Sequence, residues 1–297
     1  MEIKDLMTKD VVSVEADATL SKALSRMKSA RVHQLIVTEG KATKGMIELK
    51  SIITKDIDPA SAKVLNFIKN VPSVGDEDDI TTAIEMRLGS GLRALPVTSG
   101  GHIVGVISET DVMKAAAGLI SNKDLRLQEL MTPCVYVSKD EKASKIKNLM
   151  FETNVSRIPV LEGDDVIGVV GTLDLIKVME AKAAATQRSG KTQEKSVAEK
   201  MKTTDVTAES IMSKPVVLSG ERKLSDAIPF LQKNEEIIIK TGEIGIITPK
   251  DVLELVAKKP KKGVYVQITG MHDAGPEFQA TMDSAVQDFV QKYSKMI

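Results

Sequence analysis

The sequence predicts a mixed α/β (α+β) fold built from four repeated units and followed by a C-terminal β-α extension. Three observations carry this. An apolar strand ending in Gly and two apolar residues recurs at Gly45, Gly105, Gly168 and Gly245, each time followed by a turn that opens an apolar helix. A second marker precedes each glycine: DLMTKDVVSV from Asp5, NFIKNVPSV from Asn66, ELMTPCVYV from Glu129 and SIMSKPVVL from Ser210. Between marker and glycine, apolar residues fall at helical spacing, as in Leu20, Ala23, Leu24 and Met27, which puts them on one helix face. Two coincident markers in each of four copies set the architecture before any single residue is interpreted.

Taken in order, each unit reads strand, helix, strand, strand, helix over about 55 residues. The units occupy 1–60, 61–120, 121–182 and 208–258. Their middle strands are short, as in ALPV at 94–97 and RIPV at 157–160. Residues 183–207 are rich in Ser, Thr, Gln and Lys and read as an exposed insertion with a short helix around Val197–Met201. Such an insertion costs little, because loop-closure entropy grows only logarithmically with length. Beyond the fourth unit, 259–297 form a basic linker and extension. Lys258, Lys259, Lys261 and Lys262 flank Pro260. An alternating strand at 264–270 and a helix from Pro276 to Ser294 follow, with Phe278, Met282, Ala285, Val286, Phe289, Val290 and Tyr293 on one stripe. One strand and one helix are too few to fold alone, so they must dock on the repeats or on another chain.

Composition removes several function classes. The 297 residues carry 41 Lys+Arg against 41 Asp+Glu, which argues against a wholly basic nucleic-acid coat or an acidic tail. Aromatics are 3% and Trp is absent, which disfavours stacking platforms for single strands. Cys134 is the single cysteine, so neither an internal disulfide nor a thiolate metal cluster is available. His33, His102 and His272 lack metal-ligand spacing. The opening MEIKDLMTKD does not read as a signal peptide, and no apolar run approaches the roughly 18 residues of a membrane span. The expectation is a cytoplasmic protein with no membrane contact, monomeric or homodimeric. No Ser-His-Asp grouping, metal cluster or Walker-type P-loop is present, so it is expected not to be an enzyme.

After the glycine, the second unit reads Ser108 then Asp111, and the fourth reads Thr248, Pro249 then Asp251. A hydroxyl followed three residues later by an acid is close to a helix capping box, and Pro249 sits at the favoured first helical position. Capping alone accounts for the pattern. The first unit has Glu48 and Ser51 at these places, and the third has Gly171 and Asp174.

On these markers and motifs the units resemble cystathionine-β-synthase (CBS) domains. The four-copy arrangement is similar to that of archaeal nucleotide-binding proteins and of the γ subunit of AMP-activated protein kinase. The resemblance covers roughly residues 1–258. It implies that the repeats pair through their sheets into two modules in a disc-like arrangement, with ligand clefts between partners. A unit this small buries too little surface alone and needs a partner face.

The resemblance also implies a ligand chemistry. The acid in the first helical turn would accept both ribose hydroxyls, while Ser/Thr and free amide N–H groups face a phosphate. A cap and a ligand site are compatible readings. A polar residue in the opening segment, here Thr8, Thr132 or Ser213, would join the hydroxyl and acid of the partner unit. Cations before the middle strand would meet phosphate: Arg93, Arg157 and, as an ordinary polar contact, His33. With 8 Arg against 33 Lys, two arginines at this place are notable. The first site is therefore Thr8, His33, Arg93, Ser108 and Asp111. The second is Thr132, Ser156, Thr248 and Asp251; Glu235 and Glu236 nearby suit it to an adenosine better than a polyphosphate. The cleft relying on Ser51 is expected to be empty or altered, and that relying on Asp174 degenerate.

The functional expectation is a non-catalytic sensor that binds AMP, ADP, ATP or an S-adenosyl-type ligand, needs no cofactor, and relays occupancy to a protein partner. The rival reading is a ribosome- or RNA-associated factor with the repeats as scaffold. The extension faintly resembles the opening β-α unit of ribosome hibernation factors, and the four lysines would contact RNA phosphates. A solvated linker accounts for those lysines equally well.

Overall fold

A computed structural model of the chain describes residues 1–257 apart from 41, 56, 121 and 181–205, together with positions 282, 285 and 286. The insertion at 183–207, but for its last two residues, lies outside the described residues, as do Lys258, Lys259, Lys261, Lys262 and the strand at 264–270. Positions 282, 285 and 286 are helical.

The first unit contains β1 (Ser13–Glu15), α1 (Leu20–Ala30), β2 (Gln34–Glu39), β3 (Ala42–Glu48) and α2 (Leu49–Ile53). The second contains β4 (Val74–Gly75), α3 (Ile80–Ser90), β5 (Ala94–Ser99), β6 (His102–Ser108) and α4 (Glu109–Ala116). The third has a single turn α5 (Leu127–Leu130), then β7 (Thr132–Pro133), β8 (Val137–Ser138), α6 (Ala143–Glu152), β9 (Arg157–Glu162) and β10 (Asp165–Gly171), with helix again at 175–180. The fourth has a turn α7 (Ala208–Ile211), β11 (Val217–Ser219), α8 (Leu224–Leu231), β12 (Ile237–Lys240), β13 (Ile244–Ile247) and α9 (Pro249–Val256).

Local chemistry explains the boundaries. Thr19 Oγ1 accepts from the Lys22 N–H to start α1, and Arg31, at φ 53°, ends it in the left-handed conformation. Asp79 starts α3 by accepting from Thr81 N, and Gly91, at φ 68°, ends it. The α1 stripe of Leu20, Ala23, Leu24 and Met27 is buried as its spacing predicts. Each unit lays its opening strand parallel to the middle strand, which pairs antiparallel with the third.

The two sequence markers meet in space. Thr8 pairs with Val106, Lys69 with Met46, and Ser213 with Val169 as antiparallel bridges; Thr132 on β7 pairs with Ile246 on β13. Each unit thus lends its marker to the partner's sheet edge, coupling units 1 and 2, and units 3 and 4. The glycines make room for this exchange. A side chain at Gly105 would strike Met7, at Gly168 Met212, at Gly245 Met131, and at Gly45 Ile68 and the Lys69 carbonyl.

The apolar cores couple the units the other way. One core merges unit 1, through Leu24, Met27, Leu35 and Ile47, with Ile146, Ile158, Val170 and Ile176 of unit 3. Unit 2 receives Leu253 of α9 into its core, and unit 4 receives Met113 of α4. Burial of each such side chain contributes about 1.5–3 kcal/mol. Strand exchange along one direction and core fusion along the other give every unit two partners, and the four close into the disc-like arrangement.

Candidate functional site

Strand register defines which residues face the centre of the disc. Gln34 stands opposite Glu48, Ala94 opposite Ser108 and Arg157 opposite Gly171, and Ile237 opposite Ile247 puts Glu236 at the same place. His33, Arg93, Ser156 and Glu235 are therefore equivalent, one position earlier. Arg157, expected to match Arg93, stands one residue later; Ser156 is the true counterpart. In extended chain that step reverses the side-chain direction.

These residues converge on one carboxylate. Glu235 Oε1 accepts from His33 Nε2 at 2.7 Å, and its Oε2 accepts from Arg93 Nη1 and Arg157 Nη2, each at 2.6 Å. One group from each unit takes part. His33 Nδ1 lies 3.2 Å from Thr172 Oγ1, consistent with a neutral ring that donates through Nε2 and accepts from the threonine. His33 is thus a bridge between three units rather than an ordinary polar contact. Arg157 Nε faces Glu236 as an ion pair without hydrogen-bond geometry. Beside them Arg87 pairs with Glu109, both largely buried.

Burial lowers the His33 pKa, opposed by the Glu235 hydrogen bond. Burial alone would raise the Glu235 carboxyl, but the His33 hydrogen bond and the Arg93 and Arg157 charges outweigh it and hold the group well below the usual carboxylate range. Burial also works against the Arg157 charge, yet Glu236 and Glu235 prevail and push its pKa up. Glu236 moves up because its burial outweighs Arg157.

Two cavities open beside this cluster. The first, about 240 Å³, is lined by Thr8, His33, Arg93, Ser108 and Glu235 among others. Asp111, placed there by the sequence, is not part of the wall, and its carboxylate is turned back on Ser108. Ser108 N–H and Oγ donate to Asp111 Oδ2 at 3.1 and 2.5 Å, and Asp111 N–H donates to Ser108 Oγ at 3.3 Å. The second cavity, about 590 Å³, lies where units 3 and 4 meet unit 2 and is lined by Thr132, Ser156, Arg157, Thr248 and Asp251, together with Arg87, Arg93 and Glu109 of unit 2 and Lys250. Its volume falls in the usual range of about 300–1,000 Å³ for small-molecule sites.

This moves Glu235 away from the second site, where the sequence placed it. Glu235 lines the first cavity and not the second, because unit 4 presents its middle-strand entry to His33 and Arg93. The wall of the second cavity carries four cationic side chains against Glu109 and Asp251, so a phosphate suits it better than the sequence suggested. Arg93 lines both.

The three helix-turn aspartates differ in what remains available. Thr248 N–H and Oγ donate to Asp251 Oδ2, both at 2.7 Å; as at Asp111, both bonds fall on one oxygen and leave Oδ1 to a ligand. Asp174 has neither oxygen clear. Gly171 N–H donates to Oδ2 at 2.9 Å, and Ser213 Oγ donates to Oδ1 at 3.0 Å, with Lys177 Nζ at 3.5 Å. In the cleft of unit 1, Ser51 Oγ donates to the Glu48 carbonyl at 2.9 Å.

Arg87 and Glu109 escaped the sequence reading, although a signal existed. Arg87 continues the buried stripe Ile80, Ala83, Ile84 of α3, and a charge on an apolar stripe implies a buried partner. Cys134 also lines the second cavity, but burial pushes its thiol up to about 11, leaving it protonated and a poor nucleophile at neutral pH. Among the described residues no group of three or more His, Cys, Asp or Glu is placed to hold a metal ion, and no helix is long and apolar enough to cross a membrane.

β-α-β-β-α units that exchange opening segments, with polar cavities beside two of the exchanges, define a repeat scaffold. The CBS-domain family model matches residues 3–58, 64–118 and 127–181, more than half of the chain, and the chain belongs to that family. The fourth unit repeats the same sheet order. The uncharacterized protein MJ1404 of Methanocaldococcus jannaschii is 29% identical over 307 residues, covering 99% of this chain and 70% of the relative. MJ1225 of the same organism is 22% identical, covering 86% and 98%. The crystal structure of MJ1225, described as a candidate archaeal homologue of γ-AMPK, superposes with a TM-score of 0.71 at 21% identity over 86% of this chain and 99% of that one. An uncharacterized conserved protein from Pyrococcus horikoshii superposes with a TM-score of 0.54 at 18% identity over 86% and 100%. These two superpositions speak to the fold.

Proposed function

We propose that the chain is a non-catalytic regulatory protein that binds an adenosyl ligand, of the AMP, ADP or ATP type, in the cleft between units 3 and 4. The observation that carries this is the convergence of Thr132, Ser156, Thr248 and Asp251 with Arg87, Arg93, Arg157 and Lys250 around one cavity. Asp251 Oδ1 supplies an acceptor pair for ribose hydroxyls. The hydroxyls of Thr132, Ser156 and Thr248 offer polar contacts, and the cations answer a phosphate. The cleft of Thr8, His33, Arg93 and Ser108 is smaller and is the subsidiary site. Because the clefts lie where units meet, a ligand that favours one arrangement of the units shifts their equilibrium by its differential affinity, and a bound protein would read that shift. Isothermal titration with adenosine, AMP and ATP tests the assignment. Binding that weakens at least about tenfold in Asp251→Asn, with the melting temperature retained, supports it; binding unaffected by that substitution overturns it.

A further inference from the structure

The central cluster contains its own anion. Glu235 receives hydrogen bonds from His33, Arg93 and Arg157, one from each of the other three units. Arg93 also lines both cavities, and Arg157 lines the larger one. The side chains that would grip a phosphate at the centre are therefore occupied by a carboxylate of the protein. Glu235 is not locked in the core: its side chain is 40% exposed, whereas that of Arg157 is 9% exposed. It also lines the smaller cavity. The carboxylate is thus the most exposed member of the cluster, and the guanidinium groups are the more buried ones.

We propose that Glu235 is a built-in competitor for the ligand's phosphate, displaced when a polyanionic ligand reaches Arg93 and Arg157, and so a specificity-determining residue against singly charged ligands. The location of the anion position rests on the reading of these clefts as ligand sites. A phosphate group presents more negative oxygens to the paired guanidinium groups than a carboxylate does, and planar guanidinium forks donate to it bidentately. Its arrival breaks the contacts by which unit 4 holds units 1, 2 and 3 together at the centre. Occupancy is thereby converted into a change in how unit 4 is held. A nucleoside without phosphate leaves Glu235 in place and produces no such change.

The test uses inorganic pyrophosphate and adenosine as separate probes on the full chain, wild type and Glu235→Gln, by isothermal titration at low salt. The amide keeps a hydrogen-bond acceptor for His33 and an arginine while removing the competing charge. The expected result is pyrophosphate affinity raised roughly tenfold or more, with adenosine affinity changed less than about twofold. Thermal melts of both proteins with and without pyrophosphate provide a second measure, the stabilisation by pyrophosphate being larger in the variant. Equal or weaker pyrophosphate binding in the folded variant overturns the proposal, as does the absence of pyrophosphate binding in both proteins. Failure of adenosine to bind either protein instead counts against the adenosyl reading, and leaves the pyrophosphate comparison intact.

Discussion

Lys69 Nζ stands 2.8 Å from Glu48 Oε2, so the cleft that pairs the opening segment of unit 2 with the helix turn of unit 1 contains an internal ion pair. Lys69 occupies the place of Thr8, Thr132 and Ser213 in the exchanged strand, and Glu48 the place of Ser108 and Thr248. The repulsion that a carboxylate at Glu48 would exert on a phosphate is relieved by its own cation, and Ser51 offers no carboxylate to a ribose. Two departures from the repeat pattern are therefore one structural event.

The consequence is a count of ligand sites. In the wild type this cleft should take no adenosyl ligand. The triple substitution Glu48→Ser, Ser51→Asp and Lys69→Thr restores the hydroxyl, the acid and the polar opening residue together. Calorimetric stoichiometry for AMP should rise by one site, whereas Lys69→Thr alone should add none because Glu48 is then unneutralised. An unchanged stoichiometry in the triple variant would show that the hydroxyl and acid are insufficient to make a cleft.

Much of this was legible in the chain before any coordinates. The repeat period gave the units, and the three-residue spacing of Ser108 with Asp111 and of Thr248 with Asp251 is realised as the capping bonds it predicts. These are local relations, written within one helical turn. Which cleft Glu235 meets was not legible, because it depends on which units abut. Glu235 and Arg93 are 142 residues apart, and nothing near Glu235 names its partners. The register step between Arg93 and Arg157 is written in the repeats, where Arg93 precedes ALPV and Arg157 begins RIPV; strand pairing turns it into opposite side-chain directions.

Gly45 tests whether strand exchange holds the units together. A Cβ there would lie 2.6 Å from the Lys69 carbonyl oxygen and 2.8 Å from Ile68 Cγ2, on a backbone with φ of 137°. The carbonyl belongs to the bridge between Lys69 and Met46, so it has no room to yield without breaking that pairing. Gly45→Ala should destabilise by about 2–4 kcal/mol, the sum of an overpacked contact and an unfavourable backbone conformation. Gly100, at φ 56° with nothing within 4 Å of its would-be Cβ, is the control: Gly100→Ala should cost only about 1 kcal/mol. Urea melts of the two variants separate the contributions, and equal losses would show that the exchanged strand bears no steric constraint at Gly45.

The central cluster should also make stability depend on acidity. Glu235 has a folded pKa below its ordinary 4.5, so its contribution is fully present above that value and is lost as pH falls through the range below it. His33, whose burial lowers its pKa from 6.5, stays neutral in the fold where the unfolded chain takes up a proton. That also reduces stability as pH falls below 6.5. Glu236, raised from 4.5 by burial, binds its proton earlier in the fold and works in the opposite direction, offsetting part of the loss between its raised pKa and 4.5. Arg93, Arg157 and Arg87 remain charged throughout this range, so they do not contribute to the slope. Thermal melts from about pH 7 to about pH 3 should therefore show a falling melting temperature, steepest below 4.5, where the unfolded chain protonates Glu235 and the fold keeps it ionised. In Glu235→Gln the acidic limb should flatten while the limb below 6.5, belonging to His33, persists. A variant whose profile ran parallel to the wild type down to about pH 3 would mean that the central carboxylate is not held by His33, Arg93 and Arg157 in solution.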